Sequence, residues 1–424
     1  MRVHDTTSER GPLMKADQIT ALAGLKVLDL SRILAGPSAA QLLGDLGADV
    51  VKVEKPLDGD DTRKWGPPYV RGASGEETDE SSYYLSANRN KRSIAIDVSS
   101  TSGQELIHRL IAQADVLIEN YKVGGLSKYG LAYEQIKSRY PRLIYCSVTG
   151  FGQTGPYSTR PGYDFLIQGM GGIMSLTGVP DGEPMKVGVG IADVMTGMYA
   201  VVGILAALQH RQRTGMGQYI DISLLDTQIS WLVNAGTNYL TDRHLPERLG
   251  NGHPNIVPYQ VFSTSDAPMI VAVGNDTQFR RFCEVAGIAD LASDERYATN
   301  PMRICNRVPL CELIDSTLRK RPRASWLLEL EEAGVPCGPV NNLEDVFADP
   351  HVKARGAELR MACEWAESGE VRLLANPLRM SATPPTYRRP PPRLNEHADE
   401  VLVDWLGKNE TLQETSCTTS PLNS

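Results

Sequence analysis

Asp193 is the side chain whose place in the sequence best suits covalent acyl chemistry. It lies in the run GVGIADVMTG, at the predicted start of an apolar helix, where nearby glycines leave room for a ligand. A carboxylate is ionised at neutral pH without a base, and it can attack a thioester to form an anhydride. From the residues alone an N-cap is the commoner role, because aspartate caps helices far more often than it attacks substrates. Both roles stay open at this point.

Other nucleophiles and metal sites lack the sequence patterns that they need. There is no G-x-S-x-G elbow, and Cys337 in GVPCGPV has no adjacent histidine. The seven cysteines are scattered and never spaced C-x-x-C, which favours a reduced compartment. No cysteine–histidine set has zinc spacing and H-E-x-x-H is absent, so we expect no metal.

Two turns that follow predicted strands could approach phosphate groups. Gly150–Gly155 reads GFGQTG, but Pro156 follows it and the next residues cannot open a helix, which disfavours a nicotinamide or flavin role. The turn Ser31–Pro37 has a single glycine, yet the free N–H groups of a helix start and the guanidinium of Arg32 could bind an anion there. An ordinary strand-to-helix turn is the commoner interpretation of this spacing.

Strands and helices alternate along the first half of the chain. The predicted strands are LKVLDLS from Leu25, ADVVKVE, DVLIENY, RLIYCSVTG and YIDIS, and the predicted helices cover residues 37–46, 103–113, 133–139 and 195–209. Strands that alternate with helices predict a parallel sheet. The polar segment 58–82 should be a surface excursion without regular structure.

The length of the chain and a change in its composition predict two domains. At 424 residues the chain exceeds the usual size of one domain. We predict an α/β fold, with a doubly wound, Rossmann-like parallel sheet in a large discontinuous domain and a smaller α+β domain. The large domain should cover residues 18–225 and 341–408, the small domain residues 226–340, and flexible tails residues 1–17 and 409–424.

Charge and hydropathy exclude some classes of partner. The net charge is −8, from 51 acidic and 43 basic residues without a long basic run, so we expect no nucleic acid partner. No stretch reaches eighteen apolar residues and the N-terminus lacks an apolar signal region, so we expect no membrane insertion. A cytoplasmic location follows as the expectation, with mitochondria as the alternative.

Many separate runs, in the same order, carry a resemblance to a known family. They are LDLSRILAGP, GADVVKVEKP, GDDTRKWGPP, NRNKRSIAIDV, VLIENY, YCSVTGFGQTGP, GYDFLIQGMGG, GIADVMTGMYAVVGILAAL, GQYIDISLLD and GVPCGPV. From about Leu25 to Leu402 the chain resembles the class III CoA-transferases, the family that includes formyl-CoA transferase. The resemblance implies an interlocked homodimer and the exchange of CoA between carboxylic acids. CoA is then a co-substrate, and no cofactor is expected.

The resemblance also implies roles for individual residues. Asp193 corresponds to the family's nucleophile, which forms an aspartyl anhydride and then an aspartyl-CoA thioester. By position, the residues implied to bind CoA are Ile33, Leu34, Ala35, Lys55, Asn120 and Lys128. Arg32 and Arg92 are further basic candidates for its phosphates. Backbone N–H groups of Gly250, Asn251 and Gly252 could stabilise the oxyanion.

Two alternatives to a transferase remain from this resemblance. The family includes α-methylacyl-CoA racemases, in which a histidine immediately before an aspartate supplies half of the acid–base pair. Here the matching stretch is Gly162-Tyr163-Asp164, and tyrosine is a poor base at neutral pH, so a transferase with Asp164 as an acidic site residue is favoured. The other alternative is a non-catalytic acyl-CoA binding module, in which Asp193 only caps a helix.

Within the family, the runs are most like those of members that act on dicarboxylates. We therefore expect succinyl-CoA as donor and a dicarboxylate such as glutarate as acceptor. The second carboxylate of such a substrate needs a cationic partner. The candidates are Arg63, Arg160 and His253.

Overall fold

The structure is a computed structural model of the chain, and it describes residues 20–407. The predicted tails, residues 1–17 and 409–424, lie outside the described residues.

The strands are short and occur throughout the described chain. They are β1 (Lys26–Asp29), β2 (Asp49–Glu54), β3 (Tyr69–Arg71), β4 (Glu77–Ser81), β5 (Lys91–Ala95), β6 (Val116–Glu119), β7 (Ile144–Thr149), β8 (Tyr219–Ser223), β9 (Tyr259–Ser263), β10 (Pro268–Ala272), β11 (Cys337–Pro339), β12 (Glu358–Ala362) and β13 (Glu370–Leu374).

The helices range from single turns to one of 24 residues. They are α1 (Ala35–Asp45), α2 (Ser82–Ser86), α3 (Thr101–Ile111), α4 (Tyr133–Ile136), α5 (Asp164–Met170), α6 (Ile173–Leu176), α7 (Ile191–Thr214), α8 (Leu224–Ser230), α9 (Val233–Asp242), α10 (Asp276–Val285), α11 (Asn300–Cys305), α12 (Arg307–Leu318), α13 (Arg323–Glu332), α14 (Leu343–Ala348), α15 (Pro350–Ala354) and α16 (Ala398–Val401). Short 3-10 turns cover Asp61–Lys64, Ser127–Tyr129 and Ala289–Ala292, and a π turn covers Leu402–Leu406.

A six-stranded parallel sheet organises the first half of the chain. Its order is β5-β2-β1-β6-β7-β8, and every neighbouring pair is parallel. Counted along the chain within the sheet, this is the order 3-2-1-4-5-6, which places a topological switch point between β1 and β6. The predicted parallel sheet is confirmed.

Helices cover both faces of this sheet. Successive strand residues point to opposite faces, so Val27 and Leu28 of β1 belong to different core clusters. The first cluster includes residues of α1 and α7, and the second includes residues of α3 and α16. Buried residues on both faces account for the nearly continuous apolar runs of these strands.

The described chain divides into two compact units. The first comprises residues 20–171, 189–231 and 356–407, and the second comprises Gly172–Gly188 and Leu232–Arg355. The main segment of the second unit begins at Leu232 rather than at the predicted residue 226, because α8 packs through Leu224 into the first core. It ends at Arg355 rather than at residue 340, since it retains α14 and α15.

The second unit has its own small sheet and core. β9, β10 and β11 form an antiparallel sheet in the order β11-β10-β9. Phe279, Phe282 and Trp326 from α10 and α13 are buried in its core. The unit is therefore α+β.

Two local predictions are wrong. The segment 58–82 is not irregular, since it contains a 3-10 turn and the antiparallel pair β3–β4. No strand was predicted at β5, whose first residues are Lys91, Arg92 and Ser93. Lys91 and Arg92 are buried because they pair with carboxylates, and Ser93 donates a hydrogen bond to Glu54. Hydropathy therefore does not predict this strand.

The helix α7 is long and apolar enough, by length and composition, to cross a membrane. One face packs against α1 and is buried through Ala200, Val201 and Ile204. On its other face Met198 and Val202 are exposed. A core helix of this kind passes the same test of length and composition.

Candidate functional site

A cavity of about 160 Å³ opens at the carboxyl ends of β1 and β6, at the topological switch point. In open α/β sheets this is where ligands bind. Its lining includes the turn 32–35, which follows β1, and Asn120, which follows β6. Asp193 and Arg160 also line it.

Asp193 reaches this cavity because α7 packs very closely on α1. A Cβ atom at Gly197 would lie only 2.7 Å from the carbonyl oxygen of Ala35, so the approach requires a glycine. Asp193 is the third residue of α7 and is only 9% exposed. The sequence GIADVMTGM thus places a buried carboxylate one helical turn before the point of closest contact.

Asp164 holds the first turn of α7 from the side. Its Oδ1 accepts hydrogen bonds from the backbone N–H of Ala192 (2.8 Å) and Asp193 (3.4 Å), and its Oδ2 accepts one from Nε2 of Gln168 (2.7 Å). The N-cap residue of α7 is Gly190, and no side chain of the helix caps it. The N-cap interpretation of Asp193 is therefore wrong, because Asp164 performs that function.

The environment of Asp193 opposes its ionisation. Burial, and then the negative charge of Asp164, raise the pKa of the Asp193 carboxyl to about 7. Across residues 20–407 no cationic side chain pairs with this carboxylate, and none donates a hydrogen bond to it. A buried carboxylate without a partner is a recognised property of functional sites.

Tyr83 interacts electrostatically with Asp193 and Asp164, and the sequence did not reveal this relation. Burial and the charges of Asp193 and Asp164 raise the pKa of its phenol to about 12, so it stays protonated. Its ring packs edge-on against Trp65, with ring centroids 5.2 Å apart. The only available sequence signal was the pair of aromatic residues flanking the segment 66–82, which by itself is uninformative.

The turn after β1 has an unusual backbone. Ile33 has φ = 72°, in the left-handed region that β-branched residues rarely adopt. The side chain of Asn120 holds Arg32, the residue before Ile33. The Oδ1 of Asn120 accepts from the N–H of Arg32 (2.9 Å), and the Nδ2 of Asn120 donates to the carbonyl of Arg32 (2.7 Å). Ile33, Leu34 and their neighbour Ala35 line the cavity together with Asp193.

Comparison with known proteins agrees with this arrangement. The model of CoA-transferase family III matches residues 22–398. The chain belongs to CoA-transferase family III. It is 50% identical to a succinate–glutarate CoA-transferase of Agrobacterium fabrum over 395 residues, covering 93% of this chain and 97% of that one.

A human relative and a solved structure extend the match. The chain is 42% identical to succinyl-CoA:glutarate CoA-transferase of Homo sapiens, covering 93% of this chain and 88% of that one. A crystal structure of a CAIB/BAIF family protein from Brucella suis has a TM-score of 0.81 and 50% identity, covering 91% of this chain and 99% of that one. The fold is therefore shared along nearly the whole chain.

Arg63, a predicted partner for substrate in this CoA-transferase, is occupied elsewhere. Its guanidinium is buried and donates to both oxygens of Glu54 (2.7 and 2.8 Å), to both of Glu80 (2.6 Å each), to the Tyr84 hydroxyl and to the Pro392 carbonyl. All five of its N–H donors are engaged. Its prediction as a substrate ligand is wrong, and its role is to hold the fold together.

Arg92 is likewise wrong as a phosphate ligand. It lies near the amino ends of β2 and β5, at the edge of the sheet opposite the cavity. Its guanidinium pairs with Asp49 (2.6 Å), Asp404 (2.8 Å) and Glu400 (3.2 Å). These carboxylates satisfy its charge.

Arg160 lies where the CoA-transferase could use it. Its guanidinium stacks 4.6 Å from the ring centroid of Tyr157 and 5.4 Å from that of Phe151, and it lines the same cavity as Asp193. Within residues 20–407 it forms no ion pair. Of the two predicted arginines in the first unit, Arg160 is the one that lines the cavity of Asp193.

The remaining basic candidates for CoA phosphates, which are Arg32, Lys55 and Lys128, are at the surface, and Arg32 pairs with Asp61 at 2.9 Å. Lys55, which directly follows β2, pairs with Asp58. Lys128 is exposed, and its ammonium lies 4.6 Å from the ring centroid of Tyr129. Lys122 was not predicted, yet it lines both the cavity of Asp193 and a second cavity of about 530 Å³ beside it.

Four of the predicted site residues lie in the second unit. Gly250, Asn251, Gly252 and His253 belong to the second unit, so their roles stay predictions. The rings of His253 and Tyr259 are tilted by 56° with centroids 5.2 Å apart, and Nδ1 of His253 accepts from Asn255 N–H.

The glycine run Gly150–Gly155 serves packing. A Cβ atom at Gly150 would lie 2.5 Å from the Cα of Gly162, so two backbone segments cross there. No helix follows the run before α5 begins at Asp164. The geometry is that of a backbone crossing beside the cavity.

Proposed function

We propose that this enzyme transfers CoA from succinyl-CoA to glutarate through covalent intermediates on Asp193. The observation that carries the proposal is a buried carboxylate without a cationic partner, in the cavity beside the turn 31–35. The two similar CoA-transferases named above act on this pair of acids. They support the choice of substrates.

The reaction exchanges one thioester for another in balanced steps. An Asp193 oxygen attacks the succinyl carbonyl, forming a mixed anhydride and releasing CoA thiolate. The thiolate attacks the aspartyl carbonyl, which forms aspartyl-CoA and releases succinate. A glutarate oxygen then attacks aspartyl-CoA, and the thiolate released takes the glutaryl group from the resulting anhydride. Asp193 is regenerated as a carboxylate.

The surroundings of Asp193 favour this chemistry in two ways. Its raised pKa makes the ionised form more basic than an exposed carboxylate, while still available above pH 7. Asp164 holds the N–H groups of the first turn of α7 and so fixes the direction of the attacking side chain.

Arg160 is our proposed partner for the distal carboxylate of the substrate. A dicarboxylate leaves one charge free while the other carboxyl reacts. A guanidinium that already stacks on two rings loses little further freedom when it binds that charge. Glutarate and succinate would both be recognised by it.

Racemisation is the less favoured chemistry. The family position of the catalytic histidine is occupied by Tyr163, which is 63% exposed. A phenol in solvent is a weak base at neutral pH. No other observation in the cavity favours this function.

We also propose a homodimer, because the first unit exposes an apolar surface. Phe165 of α5, Val202 of α7 and Ile229 of α8 are 60%, 62% and 50% exposed. Apolar surface of this kind on neighbouring helices marks an interaction site. A second copy of the chain is the partner we propose, and sedimentation that shows a stable, active monomer at micromolar concentration would contradict this.

The test of the function is turnover with two acids. Purified protein is incubated with succinyl-CoA and glutarate, and the thioesters are separated and identified by mass spectrometry. We expect glutaryl-CoA and succinate in equal amounts, and none with Asp193→Ala. Hydrolysis alone, or binding of the thioester without exchange, would contradict the proposal.

A further inference from the structure

The turn between β1 and α1 is held by side chains and not by its own backbone. The N–H and carbonyl of Arg32 bond to Asn120, as described above. The carbonyl of Ser31 accepts from Lys52 Nζ (2.9 Å), and the N–H of Ile33 donates to Asp60 Oδ1 (3.2 Å). Consecutive backbone groups of the turn are therefore bonded to side chains from other segments.

These side chains form a buried network beneath the turn. Lys52 and Asp60 are almost completely buried, and they pair with each other at 2.9 Å. Asp29 accepts from Ser31 N–H (3.0 Å) and pairs with Lys91 (2.9 Å). Each charge has a partner of opposite sign, so the network is rigid and costly to rearrange.

Lys91 extends the network to the start of the helix. Its ammonium donates to Asp29, to the Pro37 carbonyl in α1 and to Asn88 Oδ1, each at 2.9 Å. The three protons of the ammonium are thus all used. Both ends of the turn are fixed to the same set of buried charges.

The network opposes a local strain. Ile33 at φ = 72° would relax toward negative φ if the turn were free, because a β-branched side chain clashes in the left-handed region. Relaxation would move the side chains of Ile33 and Leu34, which form one wall of the cavity of Asp193. The contact between Leu34 and α7 is close, since a Cβ atom at Gly190 would lie 3.2 Å from Leu34 Cδ2.

We propose that Asn120, Asp60 and Lys52 are positioning residues for CoA binding. They hold Ile33 in its left-handed conformation, and that conformation shapes the wall against which CoA binds next to Asp193. Asn120, predicted to contact CoA, acts through the backbone of Arg32 and Ile33. This inference rests on the proposed function, because CoA is the ligand whose binding it describes.

The test is a double-mutant cycle on CoA binding, measured by calorimetry with free CoA. Asn120→Ala should weaken binding by about tenfold, because the turn is released. Glycine adopts the left-handed conformation as readily as any other, so in the Ile33→Gly background the same change should cost less than about twofold. Asp60→Ala should likewise weaken CoA binding more in the wild-type background than in the Ile33→Gly background.

Asn306→Ala is the matched control. Asn306 also donates from Nδ2 to two backbone carbonyls, those of Arg296 and Met302, but it belongs to the second unit. It should leave CoA binding unchanged in both backgrounds.

The outcomes separate this inference from the proposed function. If Asn120→Ala weakens CoA binding by the same factor in both backgrounds, Asn120 contacts CoA directly or supports the fold alone, and the inference is overturned. A wild-type protein that binds no CoA would instead contradict the proposed function.

Discussion

Two buried aspartates in the first unit have opposite electrostatic environments. Asp60 pairs with Lys52 and accepts from Thr62 N–H and Oγ, and although burial alone would raise its pKa, these partners lower it to about 2. Within residues 20–407 no cationic side chain pairs with Asp193, and burial and then the charge of Asp164 raise its pKa to about 7. Depth of burial does not distinguish them. The pairing of charge does, and it separates a carboxylate that holds the turn from one that can react.

The largest expected effect is on activity at Asp193. Asp193→Asn and Asp193→Ala should lower kcat by several powers of ten, each factor of ten being about 1.4 kcal/mol of barrier, because neither offers an ionised oxygen nucleophile. Steady-state assay with succinyl-CoA and glutarate measures this. Asp164→Asn, which keeps an oxygen acceptor for the N–H of Ala192, is the matched control and should retain most of the activity.

Asp193→Asn should also increase the free energy of unfolding. The folded pKa of Asp193, about 7, is above the unfolded value of 3.8, so the unfolded chain ionises first and stability falls as pH rises from about 4 to about 7. Asp193→Asn lacks this loss. At pH 8 its free energy of unfolding should exceed that of the wild type by about 4 kcal/mol, and at pH 4 the difference should nearly vanish. Urea unfolding at both pH values checks this, and an equal difference at both would contradict it.

The paired aspartate should behave in the opposite way. Lys52→Met leaves the buried carboxylate of Asp60 without its cation, and loss of one partner of a buried pair costs about 3–5 kcal/mol. We expect a lower free energy of unfolding in urea. The double variant Lys52→Met with Asp60→Asn removes both charges and should recover part of the loss. No recovery would show that the two charges are not coupled.

Arginines repeat the contrast between a paired and an unpaired side chain. Arg160→Ala should raise the KM for glutarate by about tenfold and leave a monocarboxylate of similar length nearly unchanged, because only glutarate has a second charge to lose. Arg63→Ala should instead lower stability, since it leaves Glu54 and Glu80 unpaired. An equal rise in KM for both acids in Arg160→Ala would show that another residue binds the distal carboxylate.

The smallest expected effect is a shift of the pH profile. As pH falls below about 7, Asp193 takes up a proton and kcat/KM should decline. Asp164→Asn removes a negative charge that raises the pKa of Asp193, so the decline should move to lower pH by less than about one unit. Burial also raises the pKa of Glu119 to about 7. A shift of the profile between the wild type and Asp164→Asn would assign the titration to Asp193 rather than to Glu119. An unchanged profile would show that another group controls it.

The contrast also explains how much the sequence could reveal. Apolar strands such as β1 and β7 were predicted close to their observed bounds, because burial on both faces leaves a continuous apolar run. β5 was not, since it begins with Lys91 and Arg92, whose burial depends on carboxylates far along the chain. Arg63 was misassigned for the same reason. The partners of a buried charge are set by the tertiary fold, which a linear reading of residue types does not contain.

The site itself was predictable only in part. Asp193 and Asp164 were found through the resemblance of their runs to a known family, and the structure places both at the start of α7 or beside it. The left-handed backbone of Ile33 had no signal, because isoleucine is among the residues least expected there. Tyr83 was missed because its relation to Asp193 arises only through the fold.

Covalent trapping on Asp193 tests the central claim most directly. The wild-type enzyme is incubated with succinyl-CoA in the absence of acceptor, treated with hydroxylamine, digested and analysed by mass spectrometry. Our account predicts a hydroxamate on the peptide that contains Asp193, absent when succinyl-CoA is omitted and unaffected in position by Asp164→Asn. Modification at Asp164 instead, or an Asp193→Asn enzyme that still exchanges CoA, would contradict it.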